Sequence, residues 1–472
     1  MGENGAGKST LMGILYGYHR PDRGEILVRG RPVVFRSPQD ALGVGIGMVH
    51  QHFMLVEPFT VLDNVVLGVE GGFRLGAGLA RARAELARLG REYHLEVDPD
   101  ARVADLGVGQ RQRVEILKAL YRGAEVLILD EPTAVLTPQE ADHLFEILKS
   151  LRHQGKTVLL ITHKLREIRE ATDVVTVMRQ GQVVATLPTA ETTPERLAEL
   201  MVGRPVALRV DKAPARPGAP VLEVTDLVVE DGWGVRRVKN VSFAVKRGEI
   251  VGVAGVAGNG QSELLEALAG IRPVTSGQIR WKGRELAAAE PRSPRHWRGR
   301  GLSHVPEDRQ RTGLVIPFAA RESAILGYHR DRKYNGAIRL HRTGVAASWA
   351  RQAAEYDIRP GDGVLPTSSF SGGNQQKIVL ARELDRRPDL LLVGQPTRCV
   401  DIGAIEFIHR RLVELRDAGT ALLVVSVELE EILALADRIL VMHDGRIVGD
   451  VPRSAASERQ LGLMMAGVGE PG

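Results

Sequence analysis

The sequence contains a single cysteine, no long apolar run and no strong excess of either charge. With only Cys399 available, no disulfide can form within the chain, and a reducing cytosol is expected. The longest apolar runs, such as Ala421–Val425, are far shorter than the roughly 20 residues that a membrane-spanning helix needs. Lysine and arginine exceed aspartate and glutamate only by 63 to 58, and the basic residues are scattered, which argues against a nucleic-acid partner.

What is present is typical of a globular protein with more than one domain. The chain has 472 residues, of which 43 % are hydrophobic and 26 % charged, which argues against disorder and favours two or three domains. Internal matches occur at an offset of 253 near the start and at an offset of 264 further on. The matched residues are Gly17, Gly24, Ile26 and Gly30 with Gly270, Gly277, Ile279 and Gly283, and Asp173, Met178 and Gly181 with Asp437, Met442 and Gly445. The sequence therefore predicts two homologous domains in tandem.

A proline-rich stretch over 204–220 separates the two copies and suits an extended linker. We predict a first domain over 1–203, the linker over 204–220 and a second domain over 221–468. In the second copy, strand-like segments over 221–229 and 241–245 lie ahead of a glycine-rich loop, whereas only Met1 precedes the corresponding loop of the first. Because a phosphate-binding loop needs a strand to aim it, we expect an N-terminally shortened product or a misplaced start codon rather than a natural short form.

The first glycine-rich loop fits the pattern G-x-x-x-x-G-K-[ST], and an apolar helix is predicted directly after it. Its glycines let backbone N–H groups surround phosphate oxygens at a helix N-terminus. Lys8 would contact the β- and γ-phosphates, and the Ser9 hydroxyl would bind Mg²⁺. The candidate ATP-binding residues of this loop are Gly2, Glu3, Asn4, Gly5, Ala6, Gly7, Lys8, Ser9 and Thr10.

Two later strands are predicted to end in residues suited to phosphate chemistry. Four apolar residues, 126–129, lead to Asp130 and Glu131, and parallel strands deliver such side chains to the sheet edge where ligands bind. Asp130 is placed to hold the Mg²⁺ hydration shell, and Glu131 is the candidate base for the attacking water. His163 follows the next strand and is the candidate donor to the γ-phosphate.

These motifs, together with the sequence Phe370-Ser-Gly-Gly-Asn-Gln-Gln, resemble the ATP-binding subunits of ABC transporters over nearly the whole chain. The tandem layout resembles the ATPases of simple-sugar and nucleoside importers, and the sequences around Gln51 and Gly255 resemble the nucleoside-type branch. The resemblance implies an α/β fold with two ABC-type P-loop NTPase domains, each a RecA-like core with a helical subdomain. ATP and Mg²⁺ are the implied cofactors. Gln51 would sense the γ-phosphate, the Mg²⁺ ion and the membrane subunit.

The resemblance also implies two composite ATP pockets, each made from one copy's phosphate loop and the other copy's signature loop. The first pocket would hydrolyse ATP. It would combine residues of the first copy, Lys8, Ser9, Gln51, Asp130, Glu131 and His163, with Ser371, Gly372 and Gly373 of the second copy. Ser9, Gln51 and Asp130 would bind Mg²⁺.

The second pocket is predicted to be degenerate. Its equivalent positions hold Gln261, Ser262, Gly394, Gln395 and Val427, with Gly107 in place of the signature serine. An amide cannot act as a base, and the lysine charge is missing, so hydrolysis there should be poor or absent. Glu307 is a candidate replacement for Gln51, in a segment where the offset between the copies changes.

The resemblance implies a peripheral protein on the cytoplasmic face of the membrane, bound to two transmembrane permeases and acting indirectly with an extracytoplasmic solute-binding lipoprotein. A helical subdomain between residues 61 and 105 would border the groove for a permease helix. We expect nucleosides as the solute, with ribose- or galactose-like sugars as the alternative. Two other classes stay open: a soluble tandem ATPase acting on ribosomes or DNA, and a regulatory ATP binder without catalysis.

Overall fold

A computed structural model describes residues 1–467 with several internal gaps. Outside the description lie positions 4, 51–52, 70–74, 134–135, 137, 163, 207–209, 287–289, 291, 337–338, 399, 401 and 468–472, and the side chains of 75–77 and 138–139. The predicted site residues Asn4, Gln51 and His163, and the cysteine Cys399, are therefore outside the described residues.

The chain divides into two compact units, Met1–Val206 (unit 1) and Ala207–Gly472 (unit 2). The division falls inside the stretch that the sequence predicts as a linker. The later part of that stretch packs on unit 2, because the Lys212 ammonium donates to the carbonyl oxygens of Leu435 at 2.7 Å and Ala436 at 2.8 Å.

Unit 1 contains strands and helices in alternation, as an α/β fold requires. Its strands are β1 (Ile26–Val28), β2 (Arg31–Val33), β3 (Ile46–Val49), β4 (Val126–Asp130), β5 (Thr157–Ile161), β6 (Val174–Arg179) and β7 (Gln182–Pro188). Its helices are α1 (Lys8–Leu15), α2 (Pro38–Gly43), α3 (Val61–Val66), α4 (Leu75–Tyr93), α5 (Val108–Tyr121), α6 (Pro138–His153), α7 (Leu165–Ala171) and α8 (Pro194–Val202).

Unit 2 repeats this order behind three additional strands. Its strands are β8 (Pro220–Glu230), β9 (Arg236–Lys246), β10 (Ile250–Ala254), β11 (Ser276–Trp281), β12 (Arg284–Glu285), β13 (Leu302–Val305), β14 (Leu390–Gly394), β15 (Ala421–Ser426), β16 (Arg438–His443) and β17 (Arg446–Pro452). Its helices are α9 (Gln261–Leu268), α10 (Pro294–Gly299), α11 (Ala320–Ser323), α12 (Arg342–Glu355), α13 (Gly372–Leu384), α14 (Ile402–Asp417), α15 (Leu429–Leu435) and α16 (Glu458–Met465).

The central sheet of unit 2 has the order β13-β14-β15-β10-β16-β17, and its first five strands are parallel. Both faces are covered, as the continuous apolar strand sequences predict. Along β14, Leu391 and Val393 pack into one hydrophobic core, and Leu390 and Leu392 pack into the core on the opposite face. The predicted α/β fold is confirmed, and the sheet aims the loop after β10 at its carboxyl edge.

The described part of unit 1 has the same strand arrangement in separate pieces. Strands β3, β4 and β5 form one parallel sheet, and β6 and β7 form an antiparallel pair. No described residue of unit 1 forms a full counterpart of β10. Met1 alone lies beside β6, where its amino group donates to the Thr176 carbonyl at 2.7 Å and its carbonyl accepts from the Met178 amide at 2.8 Å.

The segment between β3 and β4 is helical, as the resemblance implies. Helices α3, α4 and α5 contact one another, and a small core that includes Val61, Leu86 and Val114 holds them together. Among the described residues, no helix has the length and apolar character that crossing a bilayer would require.

Candidate functional site

The phosphate loop of unit 1 has the backbone conformation that its glycines make possible. Gly5 and Gly7 have φ angles of 79° and 92°, a region that residues with a Cβ atom rarely adopt. A Cβ atom at Gly2 would lie 2.3 Å from the Met178 carbonyl oxygen. The loop can therefore lie against β6 and turn into α1 only with glycine at these positions.

Lys8 is held inside this loop. Its ammonium donates to the carbonyl oxygens of Gly2 at 2.7 Å and Glu3 at 3.0 Å, and the residue is only 8 % exposed. Because Lys8 is the first residue of α1, its charge lies at the positive end of the helix dipole. The loop thus presents backbone N–H groups and one ammonium, which is the donor set that phosphate oxygens bind.

Ser9, Asp130 and Glu131 come together beside the loop. The Ser9 hydroxyl lies close enough to the Asp130 carboxylate at the end of β4 to act on its pKa. Burial raises the pKa of Asp130, as does the neighbouring Glu131, whereas Ser9 and Lys8 oppose the shift. Two adjacent carboxylates and a hydroxyl provide the hard oxygen ligands that Mg²⁺ prefers.

Glu131 adopts a left-handed backbone conformation with a φ of 46°. Such a conformation in a residue with a side chain costs roughly 1–2 kcal/mol and is often found at functional sites. A hydrogen bond of 2.9 Å from its amide to the Ile161 carbonyl of β5 fixes the residue there. The strain turns the chain directly after Asp130, so that both carboxylates leave the carboxyl edge of the sheet.

The predicted signature residues lie at the N-terminus of α13 in unit 2. Ser371 caps this helix, and its Oγ accepts from the Asn374 amide at 3.4 Å and the Asn374 side chain at 3.0 Å. Gly372 and Gly373 form its first turn. At the matching N-terminus of α5 the cap is Gly107, which has no hydroxyl, so only the α13 terminus carries a side-chain donor at this position.

The second loop keeps the shape of the first with different side chains. Gly258 and Gly260 have φ angles of 92° and 97°. Gln261 occupies the lysine position, is buried, and donates through Nε2 to the Val256 carbonyl at 3.1 Å. Val256 corresponds to Glu3 at the offset of 253, so the amide uses a carbonyl equivalent to one that Lys8 uses.

The strand ends of unit 2 have the same backbone conformation as those of unit 1 but carry different side chains. Gln395 has a φ of 47°, and its amide donates to the Val425 carbonyl at 2.8 Å, as Glu131 does to Ile161. Its side-chain oxygen accepts from the Val427 amide at 3.2 Å. Gly394 stands where unit 1 has Asp130, and Ser262 bonds to Glu307 instead.

The register of the sheets places Glu307, which the sequence offsets leave open. In unit 1, Val49 of β3 pairs with Leu129 of β4; in unit 2, Val305 of β13 pairs with Val393 of β14. Glu307 therefore holds the position of Gln51, because Gln51 comes two residues after Val49 and Glu307 comes two residues after Val305. The sequence did not predict the hydrogen bond from Ser262 to Glu307. The glycine at 394, which replaces an aspartate, was the signal that another residue could supply the carboxylate.

A groove of about 300 Å³ lies on the helical part of unit 1. Its walls are mostly apolar and include Phe59, Val66, Leu67, Leu79 and Tyr121. Phe59 and Leu67 are 42 % and 43 % exposed, which is unusual for large apolar side chains packed on a helical surface. The groove is thus a candidate docking surface for an apolar helix.

The sequence profile of the family described as ABC transporter matches residues 1–134 and 238–398, which contain both phosphate loops. The chain is 48 % identical to the guanosine import ATP-binding protein NupO of Bacillus subtilis, over 99 % of this chain and 91 % of that protein. It is equally identical to the nucleoside import ATP-binding protein NupA of Lactococcus lactis, over 99 % and 92 %. A glucose import ATP-binding protein of Haloferax volcanii, TsgD13, is 43 % identical over 100 % and 90 %.

The two loops, the carboxylates at the strand ends and these relatives lead to one assignment. The chain belongs to the ABC transporter family.

Proposed function

We propose that this chain is the ATP-hydrolysing subunit of an importer for nucleosides, with hydrolysis confined to the phosphate loop of unit 1. The observation that carries the proposal is the joint placement of Lys8, Ser9, Asp130 and Glu131 around one loop. The relatives named for guanosine and nucleoside import support the choice of solute. In unit 2 the corresponding lysine and both carboxylates at the strand end are replaced.

The residues of unit 1 fit a magnesium ion bound with ATP. The Ser9 hydroxyl lies beside the Asp130 carboxylate, so that both oxygens could bind one cation. Gln51, outside the described residues, is the proposed third ligand. When bound, Mg²⁺ would neutralise the charge on the β- and γ-phosphate oxygens.

The protein groups would act on the phosphates in distinct ways. Lys8 would exchange its two carbonyl acceptors for phosphate oxygens, which are stronger acceptors because they are charged. Glu131 would accept a proton from the attacking water while the oxygen bonds to the γ-phosphorus and the bond to the β-phosphate oxygen breaks. His163 is the proposed donor to the transferred phosphate, which leaves as inorganic phosphate beside ADP.

We further propose that Ser371, Gly372 and Gly373 complete this pocket when the importer binds ATP. The capping bonds use Ser371 Oγ as an acceptor, so its hydroxyl proton can be donated to a phosphate oxygen. The two glycines would let the phosphate approach the backbone N–H groups of α13.

The proposed partners are two membrane permeases, with a solute-binding lipoprotein outside the membrane acting through them. The apolar groove beside Phe59 would receive a cytoplasmic helix of one permease, in keeping with its exposed apolar side chains. The chain would then lie at the cytoplasmic face of the membrane as a peripheral subunit.

The proposal is tested by reconstituting the chain with its permeases and binding protein in lipid vesicles. Guanosine uptake should require ATP, and Glu131→Gln should lower ATP hydrolysis by about 10²–10⁴-fold, the usual contribution of a general base. Wild-type hydrolysis rates in the Glu131→Gln chain would remove Glu131 from the mechanism.

Substrate competition separates the nucleoside proposal from the sugar alternative. Unlabelled nucleosides should block uptake of labelled guanosine, whereas ribose, galactose and glucose should not. Uptake driven by a sugar alone would assign the chain to the sugar importers, which the glucose import relative keeps open.

A soluble ATPase acting on ribosomes or DNA is the rival of a different class. Affinity purification from gently solubilised cells distinguishes the two, because permeases should copurify with the chain under the proposal. Copurification with ribosomal particles or DNA would favour the rival.

A further inference from the structure

Glu307 lies against the second phosphate loop. Its Oε2 accepts from the Ser262 hydroxyl at 2.7 Å. Ser262 corresponds to Ser9, whose hydroxyl in unit 1 lies beside the Asp130 carboxylate. The same serine–carboxylate pair is therefore present in both units, but the carboxylate comes from a different strand end.

The space at the end of β14 explains how this exchange is possible. A Cβ atom at Gly394 would lie 2.4 Å from Glu307 Cγ and 2.7 Å from Leu265 Cδ2. The side chain of Glu307 thus fills the volume into which an aspartate at 394 would project. The absence of a side chain at 394 and the presence of a long acid at 307 are two parts of one arrangement.

The carboxylate has an unused oxygen. Glu307 Oε1 is buried and has no hydrogen-bond partner among the described residues. Burial raises the pKa of Glu307, the Ser262 hydroxyl and Arg398 oppose that shift, and the acids Glu266 and Glu263 add to it. A buried acceptor without a partner is unfavourable, and a bound cation would satisfy it.

Hydrolysis has no corresponding substitute in unit 2. The Gln395 oxygen is already bonded to the Val427 amide, and a carboxamide does not accept a proton from water at neutral pH. The loop glycines, Ser262 and Glu307 provide binding groups, whereas no described side chain here takes the place of the base.

We propose that Glu307 supplies the carboxylate that β14 lacks, so that Ser262 and Glu307 hold Mg²⁺ with a nucleotide at a second site that binds without hydrolysing. The proposal rests on the proposed function, because it assumes that the loop of unit 1 is the hydrolysing site. Under this proposal Glu307 binds the cation directly and is not only a sensing residue.

Manganese binding tests this proposal without relying on turnover. The full chain carrying Glu131→Gln is titrated with Mn²⁺ in the presence of a non-hydrolysable ATP analogue, and free Mn²⁺ is counted by electron paramagnetic resonance. We expect two Mn²⁺ per chain. Adding Glu307→Gln, which keeps the shape of the side chain, should weaken one of the two by at least about tenfold and leave the other unchanged.

The matched control is Glu266→Gln, which removes an equal charge from α9 but from a side chain paired with Arg272 at 2.7 Å. It should retain both ions. The combination Glu307→Ala with Gly394→Asp moves the carboxylate back to the strand end. It removes the contact with Glu307 Cγ, and the flexible end of the Leu265 side chain has to shift, after which the second ion should be restored.

Two results would distinguish a failure of this proposal from a failure of the proposed function. A single Mn²⁺ that is lost in Ser9→Ala and unaffected by Glu307→Gln overturns the second site and leaves the proposed function intact. An Mn²⁺ count of zero with the analogue present overturns both.

Discussion

At the position after the last loop glycine, one unit has an ammonium and the other a carboxamide. Lys8 and Gln261 are both buried, and both donate to carbonyl oxygens of their own loop. The difference is charge: at about 4 Å, a unit charge pair is worth roughly 4 kcal/mol at an effective dielectric near 20. The amide can fill the lysine's space, but it cannot stabilise charge that develops on a transferred phosphate.

Exchanging this one side chain should make unit 1 behave like unit 2. We expect Lys8→Gln to lower kcat for ATP hydrolysis in the reconstituted complex by about 10²–10³-fold, because one preorganised charged donor is lost. The thermal midpoint should change little, since the glutamine at 261 shows that the loop accepts an amide. Unchanged turnover in Lys8→Gln would contradict the assignment of the hydrolysing loop.

His304 is a half-buried residue of β13 whose ring nitrogen Nε2 is buried, and its charge state affects stability. Burial lowers its pKa to about 4; Glu383 opposes this shift, and Arg298 and Arg382 add to it. An unfolded histidine titrates near pH 6.5, so the unfolded chain binds the proton more readily between about pH 6.5 and 4. Stability is then fully present above the unfolded pKa and is lost as the pH falls towards the folded one.

Urea denaturation at pH 7 and pH 5 measures this effect. His304 should account for about 2 kcal/mol of the loss of unfolding free energy between those pH values. His304→Leu should reduce the pH dependence by that amount, whereas the exposed control His329→Leu should leave it unchanged. Equal pH dependence in all three chains would show that His304 is not buried as a neutral ring.

Sequence motifs predict the residues of the candidate first site but not the proposed role of Glu307 at the second. Gly2, Lys8, Ser9, Asp130 and Glu131 stand at fixed spacings, and the structure brings them together. The role of Glu307 depends on the register between β13 and β14 and on the space at Gly394, neither of which a spacing reveals. Pairing between distant strands is set by tertiary packing.

At the scale of elements, the two units differ in how their sheets are closed. In unit 2, β10 lies between β15 and β16, and every residue of β15 is buried. In unit 1, the facing edges of β5 and β6 have no full strand between them among the described residues, and Leu159 of β5 is 37 % exposed. Unpaired strand edges lose ladder hydrogen bonds and apolar burial.

A copy of β10 placed directly ahead of Met1 should stabilise unit 1 of the 472-residue chain. Fusing the sequence of residues 248–253 ahead of Met1 places a copy of β10 in register with the residue that already bonds to β6. Each kcal/mol gained should raise the midpoint of unit 1 by about 2–4 °C in calorimetry. A control extension with aspartate in place of both central valines should give no increase, and equal midpoints for both fusions would refute the pairing.

Element types were predictable where the pattern was long and apolar. The strand ending at Asp130 and the helices between residues 61 and 105 appear as predicted, and β8 and β9 extend beyond the predicted segments 221–229 and 241–245. These two strands pair with each other as an antiparallel ribbon, which extends regular hydrogen bonding into flanking polar residues that carry no apolar signal.

At the scale of the molecule, each unit presents an exposed phenylalanine in the same local setting. Phe59 and Phe318 are 42 % and 51 % exposed. The carbonyl of Phe59 accepts from the Val103 amide at 3.0 Å, and that of Phe318 accepts from the Thr367 amide at 2.8 Å. A pair of equivalent apolar surfaces suits two permeases, one for each unit.

Removing these rings should separate the chain from the membrane complex. We expect Phe59→Asp with Phe318→Asp to lower copurification of the permeases by at least about tenfold, since two hot-spot aromatics are lost. Trp233→Asp is the control, because Trp233 is 92 % exposed on the β8–β9 turn. If the double variant copurifies as the wild type does, the phenylalanines are not the docking surface.

The whole chain should have one hydrolysing site. In the Glu131→Gln background, adding Gln395→Glu should leave ATP hydrolysis at no more than about one hundredth of the wild-type rate, because a base alone does not replace the charge missing at 261. Phosphate release by the reconstituted complex measures this. Recovery to near the wild-type rate would mean that the second loop needs only a base.

The carbonyl oxygens that line both loops carry an engineering implication. Val256 already receives a side-chain donor from position 261, as Glu3 does from position 8. A lysine introduced at 261 would meet a ready-made acceptor, and no main-chain rebuilding would be required. The second phosphate loop could therefore serve as a scaffold in which catalytic residues are reintroduced one at a time and the contribution of each is measured.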